Sequence, residues 1–351
     1  MRFGAHHLRL DFIALRFSAV AHLRLNAPQS ATAQMPLQRP HLPVAVALRI
    51  HGPPAAPSAP VSPAAALLPG FVRRPVAQTK PPSPTPDQAA TQVGEALEKR
   101  VLAGGYPEVL RRSSEARRQS WAHSYLNAIL QRDVREIAEV DKLLALPQLL
   151  ALLAQVCGQL CNYTQLGARI GLDGKTVSRY LTILEQLFLV RRVPAWSGNG
   201  LARIVKTPKL QFLDSGLLSH LLGLKAARVA RDRTAFGPVL ECFAYGELLR
   251  LSSWAEDSFN LMMYRDKDQL EVDVVIANGL GQLVGVEIKA SASVQGGHLV
   301  GLRRLAAQAG DRFLGGVILY DGIQTLPMGS VAGRPIWALP LASLWYGPPL
   351  P

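Results

Sequence analysis

Two carboxylates and a lysine stand in this sequence at a spacing that suits chemistry on phosphodiesters. Asp273 lies in the apolar run Leu270 to Ala277, while Glu287 and Lys289 lie in the run Gln282 to Lys289. Two carboxylates can hold Mg²⁺, a hard cation that prefers oxygen ligands and lowers the pKa of a bound water. A nearby lysine can orient that water or neutralise charge on the phosphate. The spacing therefore predicts Asp273, Glu287 and Lys289 as catalytic residues and Mg²⁺ as the cofactor.

A helix upstream of these runs offers a further carboxylate. The stretch Pro238 to Leu251 has the pattern of a helix and carries Glu241 and Glu247. Either glutamate could complete the metal shell. An isolated Glu-x-Lys on a strand is more often solvated surface charge, so a plain surface ion pair is the alternative. An acid fourteen residues upstream, on the preceding strand, favours the metal site.

The alternation of side chains along strands decides whether the three groups can meet. Asp273 and Val275 are expected on one face of their strand, and Glu287 and Lys289 on one face of the next. The connection Asn278-Gly-Leu-Gly281 predicts a hairpin, so the two strands are antiparallel neighbours with all three groups on one surface. The face opposite to Asp273 is expected to carry Val272, Val274 and Ile276.

A helix-turn-helix pattern precedes these strands. Thr164 to Ile170 predict a short helix whose first residue serves as the N-cap, and the turn Gly171 to Gly174 follows. Lys175 to Gln186 predict a second, amphipathic helix. Two strand-like runs come next, Phe188 to Val193 and Lys209 to Leu213. Two helices at a tight turn followed by a hairpin predict a winged helix.

Four basic residues of this winged helix are candidates for contact with nucleic acid. Lys175 and Arg179 are expected on the outward face of the second helix, and Arg203 and Lys206 in the hairpin loop. In DNA-binding modules of this kind, the second helix enters the major groove and basic residues contact phosphates. The alternative is that the hairpin packs against another domain.

The beginning of the chain differs from the rest in composition. Of the 351 residues, the first 90 hold fifteen of the 26 prolines, nine Lys or Arg, two Asp and no Glu. Such a Pro-rich, basic stretch predicts disorder for residues 1–91, or a start site placed upstream of the folded chain. Of the formal net charge of +13, only +6 therefore belongs to the other 261 residues. A charge of that size does not by itself indicate binding to nucleic acid.

Cysteine usage and hydropathy indicate a cytoplasmic protein. Cys157, Cys161 and Cys242 are too few and too irregular for a disulfide framework, and no metal-binding spacing accompanies them. The longest uncharged stretch, Ile50 to Val72, is interrupted by six prolines and cannot form a spanning helix. We therefore expect reduced thiols and no membrane partner.

The order of short motifs along the chain resembles a known family. These motifs are Gly104-Gly-Tyr-Pro-Glu108, Arg132-Asp-Val134, Tyr180-Leu-Thr-Ile-Leu-Glu185, Pro194-Ala-Trp196, Lys206-Thr-Pro-Lys209, Asp214-Ser-Gly-Leu-Leu218, Leu240-Glu241, Glu247-Leu248, Glu271-Val-Asp273, Val286-Glu-Ile-Lys289 and Leu344-Trp345. Together they resemble the C-terminal region of bacterial and archaeal AAA-type ATPases that end in a conserved domain of unknown function. The resemblance covers about residues 95–346.

That resemblance implies an α+β protein. A helical bundle with a winged helix-turn-helix would precede a PD-(D/E)XK nuclease-like α/β domain, in which Asp273, Glu287 and Lys289 form the core and Glu241 is the helix acid. The expected divisions are a disordered segment 1–91, a helical region 92–160, a winged helix 161–218 and the nuclease-like domain 219–351. The helical region would correspond to the ATPase lid and linker helices.

The sequence departs from the family ahead of Gly104. It contains no G-x-x-x-x-G-K-[ST] phosphate loop, whose backbone amides, Lys and Ser/Thr would cradle a triphosphate and Mg²⁺. We therefore expect no ATP binding, no nucleotide-binding residues and a family member that lacks its ATPase domain.

Two functions remain open from the sequence. In the first, the protein is a Mg²⁺-dependent nuclease whose winged helix directs it to DNA. In the second, the same domains form a non-catalytic interaction or regulatory scaffold with a protein partner, or a truncation without function. The complete set of Asp273, Glu287 and Lys289 favours the first, and the nearly neutral folded region favours the second.

Overall fold

A computed structural model of the protein describes residues 86–134, 145–198, 207–253, 255 and 257–345. Most of the segment predicted to be disordered, and both Arg203 and Lys206, lie outside these residues. Within the last residues of that segment, Pro86–Ala90 form a helix, and Ala89 is fully buried. No helix in the described part of the chain is both long and apolar enough to cross a membrane.

The described chain is α+β, with a helical part followed by a mixed sheet. In chain order, the α-helices are α1 Pro86–Ala90, α2 Glu95–Ala103, α3 Pro107–Leu110, α4 Glu115–Ala128, α5 Leu146–Gln155, α6 Tyr163–Ala168, α7 Gly174–Gln186, α8 Ser215–Leu221, α9 Ala226–Arg231, α10 Phe236–Ser253 and α11 Val300–Ala309. A π-helical turn, Ile129–Asp133, extends α4.

Eight strands of the described residues form two sheets. They are β1 Val190–Val193, β2 Lys209–Phe212, β3 Phe259–Arg265, β4 Glu271–Asn278, β5 Leu283–Lys289, β6 Phe313–Tyr320, β7 Leu326–Val331 and β8 Arg334–Pro340. β1 and β2 pair antiparallel as a small sheet, and the large sheet has the order β3-β4-β5-β6-β8-β7. Within it, β5, β6 and β8 are parallel, and the remaining neighbours are antiparallel.

The crossover helix α11 forms the main core with one face of the large sheet. It connects the parallel neighbours β5 and β6, and a helix is the usual connection between such strands. Leu302 and Leu305 of this helix are fully buried, and they pack over glycines of the sheet. A Cβ on Gly285 would lie 2.5 Å from Leu302 and 2.9 Å from Leu305, so this close packing requires glycine there.

Two of the sequence motifs meet in a contact between the helical part and α8. The main-chain N–H groups of Gly105 and Leu217 both donate to the carboxylate of Asp214, over 2.7 and 2.9 Å. Gly104 ends α2 with a φ of +70°, which only glycine adopts without strain at its ψ of −156°. Asp214 thus caps α8 and holds the end of α2 with the same carboxylate.

The helix-turn-helix segment has the predicted succession of elements, with one change in its capping. Asn162, and not Thr164, caps α6, because the Asn162 side chain accepts a hydrogen bond from the N–H of Gln165. Asp173 caps α7 in the same manner by accepting from Lys175 and Thr176. The sequence interpretation placed the helix start one residue too late, so it assigned the capping role to a residue inside the first turn.

Candidate functional site

The candidate site lies at the edge where β4 begins and β5 ends, beside α10. The last ladder pair of these antiparallel strands at this end is Val274 with Val286, and the residues that follow are Asp273 and Glu287. The chain is joined at the other end by the predicted hairpin, in which Gly281 has a φ of +78° and donates to the carbonyl of Asn278. The register therefore brings the two carboxylate residues to neighbouring positions.

A β-bulge on β4 changes the alternation at this point. Met262 of β3 pairs with Val275 of β4, and the next pair is Tyr264 with Val272. Between these two pairs β3 therefore advances by two residues and β4 by three. Val272 and Val275 consequently pack in the same core cluster. The prediction that they occupy opposite faces is wrong, because an extra residue in one strand shifts the side-chain period. Asp273 lies within the bulge.

Asp273 and Lys289 both contact β5 at Glu287 or the residue after it. One oxygen of Asp273, Oδ2, accepts a hydrogen bond of 2.8 Å from the main-chain N–H of Ile288. Lys289 Nζ lies 2.8 Å from Glu287 Oε2, and the Glu287 side chain is only 7% exposed. The other Glu287 oxygen lies against α11, since a Cβ on Gly301 would be 2.8 Å from Oε1. The three predicted catalytic residues are thus joined through one short piece of β5.

Glu241 reaches the same place from α10, but its partner is a lysine of the small sheet. Lys209 Nζ lies 2.6 Å from Glu241 Oε1 and 3.7 Å from Asp273 Oδ1, and its side chain is 5% exposed. Gln211 donates to the same oxygen of Glu241 over 2.6 Å and accepts from the thiol of Cys157. A buried cation from β2 therefore connects the two carboxylates that α10 and β4 supply.

Burial governs the protonation of the two glutamates. It raises the pKa of Glu241 to about 7, with Asp273 adding to the effect and Lys209 opposing it. Burial likewise raises the pKa of Glu287 to about 8; the charge of Asp273 raises it further and Lys289 lowers it. Burial alone would lower the pKa of each lysine, but the neighbouring carboxylates outweigh burial and raise the pKa of both Lys209 and Lys289.

Two lysines contact the three predicted metal ligands, Lys209 at Glu241 and Asp273 and Lys289 at Glu287. Among the residues that the structure describes, no group of three or more His, Cys, Asp or Glu side chains is placed to hold a metal ion. Glu241 is engaged by Lys209, which leaves Asp273 and Glu287 as the carboxylates next to each other. Two carboxylates are still a suitable set for Mg²⁺, which keeps several of its waters when bound to proteins.

The other predicted site residues lie apart from this cluster. Glu247 forms an ion pair with Arg250, one turn further along α10. Lys175 and Arg179 are both exposed on α7, on the side opposite to its buried residues, as the amphipathic pattern predicted. Arg203 and Lys206 of the hairpin loop fall outside the described residues.

Sequence reasoning did not identify Lys209 or Gln211 as members of the cluster. Both are almost completely buried, at 4% and 1% exposure, which is unusual for their residue types. The sequence carried one available signal, because Lys209 and Gln211 alternate along an otherwise apolar strand. Two polar side chains on one face of a buried strand indicate polar partners, although they do not tell which ones.

Comparison with known proteins supports a relationship to domains of unknown function. Residues 94–228 match the Domain of unknown function DUF8612, and residues 236–344 match the Domain of unknown function DUF4143. The first match contains the helical part with β1 and β2, and the second contains α10 and the large sheet. DUF4143 is found in AAA-ATPase-associated proteins.

Curated bacterial relatives match about half of the chain. An uncharacterised protein of Mycobacterium tuberculosis is 26% identical over 202 residues, which are 57% of this chain and 45% of that relative. One of Haemophilus influenzae is 27% identical over 152 residues, which are 42% of this chain and 36% of the relative. The chain thus matches less than half the length of either relative. No solved structure matches it, so its similarity rests on the two matches to domains of unknown function and on these bacterial relatives.

Proposed function

We propose that the cluster around Asp273 and Glu287 acts on phosphodiesters with Mg²⁺, in the manner of PD-(D/E)XK nucleases. The observation that carries this proposal is the meeting of Asp273, Glu287 and Lys289 at the end of two adjacent strands. Asp273 raises the pKa of Glu287, which means that the two carboxylates repel each other when both are ionised. A divalent cation between them relieves that repulsion, so this pair fits the ion.

Each of the three residues has a distinct role in the proposal. Asp273 and Glu287 hold the Mg²⁺ ion, which when bound polarises the phosphate and lowers the pKa of a water ligand. The hydrogen bond from Ile288 fixes Asp273, so that carboxylate needs no reorganisation. Lys289 is 30% exposed on its side chain, and its ammonium group can donate to a phosphate oxygen or orient the attacking water.

The proposal also includes a relationship to AAA-type ATPases and a winged helix that binds DNA. The match to DUF4143 supports a relationship to the C-terminal region of AAA-type ATPases, and the succession α6, α7, β1 and β2 supports a winged helix. The exposed Lys175 and Arg179 on α7 fit contacts with the phosphates of DNA. In this proposal the winged helix binds duplex DNA, and the proposed chemistry on phosphodiesters does not involve ATP.

Cleavage of supercoiled plasmid and of branched DNA in Mg²⁺ tests the proposal. We expect the wild-type protein to nick these substrates and EDTA to stop the reaction. Lys289→Ala should lower the rate by about 10²–10³-fold, because it removes a donor to the developing charge. Lys99→Ala is the matched control: Lys99 is an exposed lysine of α2 paired with Glu95, so its loss should leave the rate unchanged.

A contaminating nuclease is the main confounder of this experiment. Asp273→Asn, purified in parallel, keeps the size of the side chain and removes the charge that would hold the ion. Equal cleavage by Asp273→Asn, Lys289→Ala and the wild type would show that the activity does not come from this site. Cleavage lost in both variants and kept in Lys99→Ala would establish it.

A second candidate function is a non-catalytic scaffold, and one observation favours it. Lys209 and Lys289 already pair with Glu241 and Glu287, so the cluster has cations of its own. A buried ion-pair network of this kind can serve to fix the orientation of the small sheet on the large one. In that case the protein cleaves neither the supercoiled plasmid nor the branched DNA, and it binds no Mg²⁺. The same cleavage assay and a metal titration detect this outcome.

A further inference from the structure

We propose that Lys209 occupies a cation position of the site, between Glu241 and Asp273, and that its ammonium group and a divalent ion exclude each other there. The idea extends the proposed function, since it states how many metal ions the site takes. Lys209 lies 2.6 Å from Glu241 Oε1 and 3.7 Å from Asp273 Oδ1, so one positive charge serves two carboxylates on two different elements. Two carboxylates sharing one cation is the arrangement that a bound metal ion produces.

One oxygen of Glu241 carries two partners, and the other lies close to the main chain. Oε1 forms the ion pair with Lys209 and also accepts a hydrogen bond from the side-chain amide of Gln211. Oε2 lies against the main chain of Gly158, where a Cβ would come within 3.1 Å. A metal ion at Glu241 Oε1, between this glutamate and Asp273, would have to displace the ammonium group of Lys209, whose side chain is 5% exposed.

The backbone of Lys209 is fixed on both sides, so the ammonium group is part of a built site. On one side Lys209 pairs with Val193 of β1, and on the other it forms a bridge with Leu160. The small sheet is itself attached to the large one, because Met263 of β3 exchanges main-chain hydrogen bonds with Pro194 and Trp196. The backbone of Lys209 is therefore held where the two sheets meet, and its side chain is 5% exposed.

The site consequently has two cation positions with different occupants. The position between Glu241 and Asp273 is filled by Lys209. The position between Asp273 and Glu287 remains for one divalent ion, and Lys289 lies at its edge beside Glu287. Lys209 is thus a positioning residue: it holds Glu241 and Asp273 in place and limits the site to one metal ion.

Counting bound Mn²⁺ tests the inference. The full chain is titrated with Mn²⁺, and the free ion is followed by its electron paramagnetic resonance signal. We expect one Mn²⁺ per wild-type chain and two per Lys209→Met chain, because methionine keeps the length of the side chain and removes its charge. Lys209→Met combined with Glu241→Gln should return to one, since the carboxylate of the second position is gone. Circular dichroism confirms that each variant is folded.

Each result decides one of the two proposals. An unchanged count in folded Lys209→Met overturns the role of Lys209, as does a count of two in the wild type. A count of zero in the wild type that rises to one in Lys209→Met supports the role of Lys209 and overturns the Mg²⁺-dependent function. If Lys209→Met does not fold, Glu241→Gln decides: the wild-type count is retained when Glu241 binds Lys209, and one ion is lost when Glu241 binds metal.

Discussion

Lys209 of the small sheet and Glu241 of the long helix α10 form an ion pair of 2.6 Å with the lysine side chain 5% exposed. The pair joins the two regions that match separate domains of unknown function. Removing a charge from water is costly, and mutual attraction offsets that cost only when the geometry is good and further hydrogen bonds are present. Gln211 supplies such a bond to Glu241, and Asp273 supplies a second negative charge to Lys209.

Replacing only Lys209 should destabilise the protein more than replacing both Lys209 and Glu241. Lys209→Met leaves Glu241 and Asp273 without their cation, and we expect a loss of about 3–5 kcal/mol in the free energy of unfolding. The double variant Lys209→Met/Glu241→Gln should lose less than the single variant, because one of the uncompensated charges is also gone. Urea unfolding without metal measures both. A double variant that is less stable than Lys209→Met alone would contradict this account.

Stability should fall as the pH rises from about 5 to about 8. Glu241 and Glu287 have folded pKa values raised to about 7 and about 8 from an ordinary value of 4.5. Within that window the folded chain binds more protons than the unfolded chain, so the free energy of unfolding decreases with pH. Lys209 and Lys289, whose pKa values are raised, lose their stabilising effect only at more alkaline pH.

Glu287→Gln isolates the contribution of one carboxyl group to this pH dependence. The variant cannot ionise at residue 287, so its unfolding midpoint in urea should decline less between pH 5 and pH 8 than that of the wild type. A Glu287→Gln profile parallel to the wild-type profile would mean that Glu287 ionises normally in the folded protein.

Much of the site's scaffold could be predicted from local sequence, since the elements concerned have strong periodic patterns. The helix predicted from Pro238 to Leu251 lies within α10, and the Asn278 hairpin is formed as expected. The bulge at Asp273 could not be predicted, because an extra residue in one strand is defined by pairing with β3 and leaves the apolar pattern of β4 intact.

Features that depend on distant contacts were missed. The sequence did not predict β7 and β8, because Pro327, Gly329 and Pro335 resemble turn residues and β7 is largely exposed at the edge of the sheet. Lys209 stood in a recognised motif, but its partner Glu241 is on an element that packs against β2 only in the folded chain. Its role therefore required the tertiary structure.

Gly104→Ala should destabilise the protein more than Gly310→Ala does. Both glycines end a helix with positive φ, +70° and +57°, so alanine strains the backbone at each by about 1–3 kcal/mol. Around Gly310 a Cβ would meet open space, whereas at Gly104 it would lie 2.4 Å from Asp214 Oδ1. The difference between the two variants in urea unfolding measures the displacement of Asp214, whose lost capping of α8 adds about 1 kcal/mol. Equal losses of stability would show that Asp214 moves away from the new Cβ without a measurable cost.

Binding of duplex DNA should depend on the exposed face of α7. Lys175→Ala/Arg179→Ala removes two cations that the winged-helix proposal places against phosphates, so the slope of log affinity against log salt should become less negative by about two. Lys225→Ala/Arg231→Ala removes the same charge from an exposed surface at α9 and serves as the control. Fluorescence anisotropy with a labelled duplex, repeated at several salt concentrations, gives both slopes. If the two double variants change the slope equally, the contribution of α7 is only that of net charge, and the small sheet and α7 serve the packing of the protein instead.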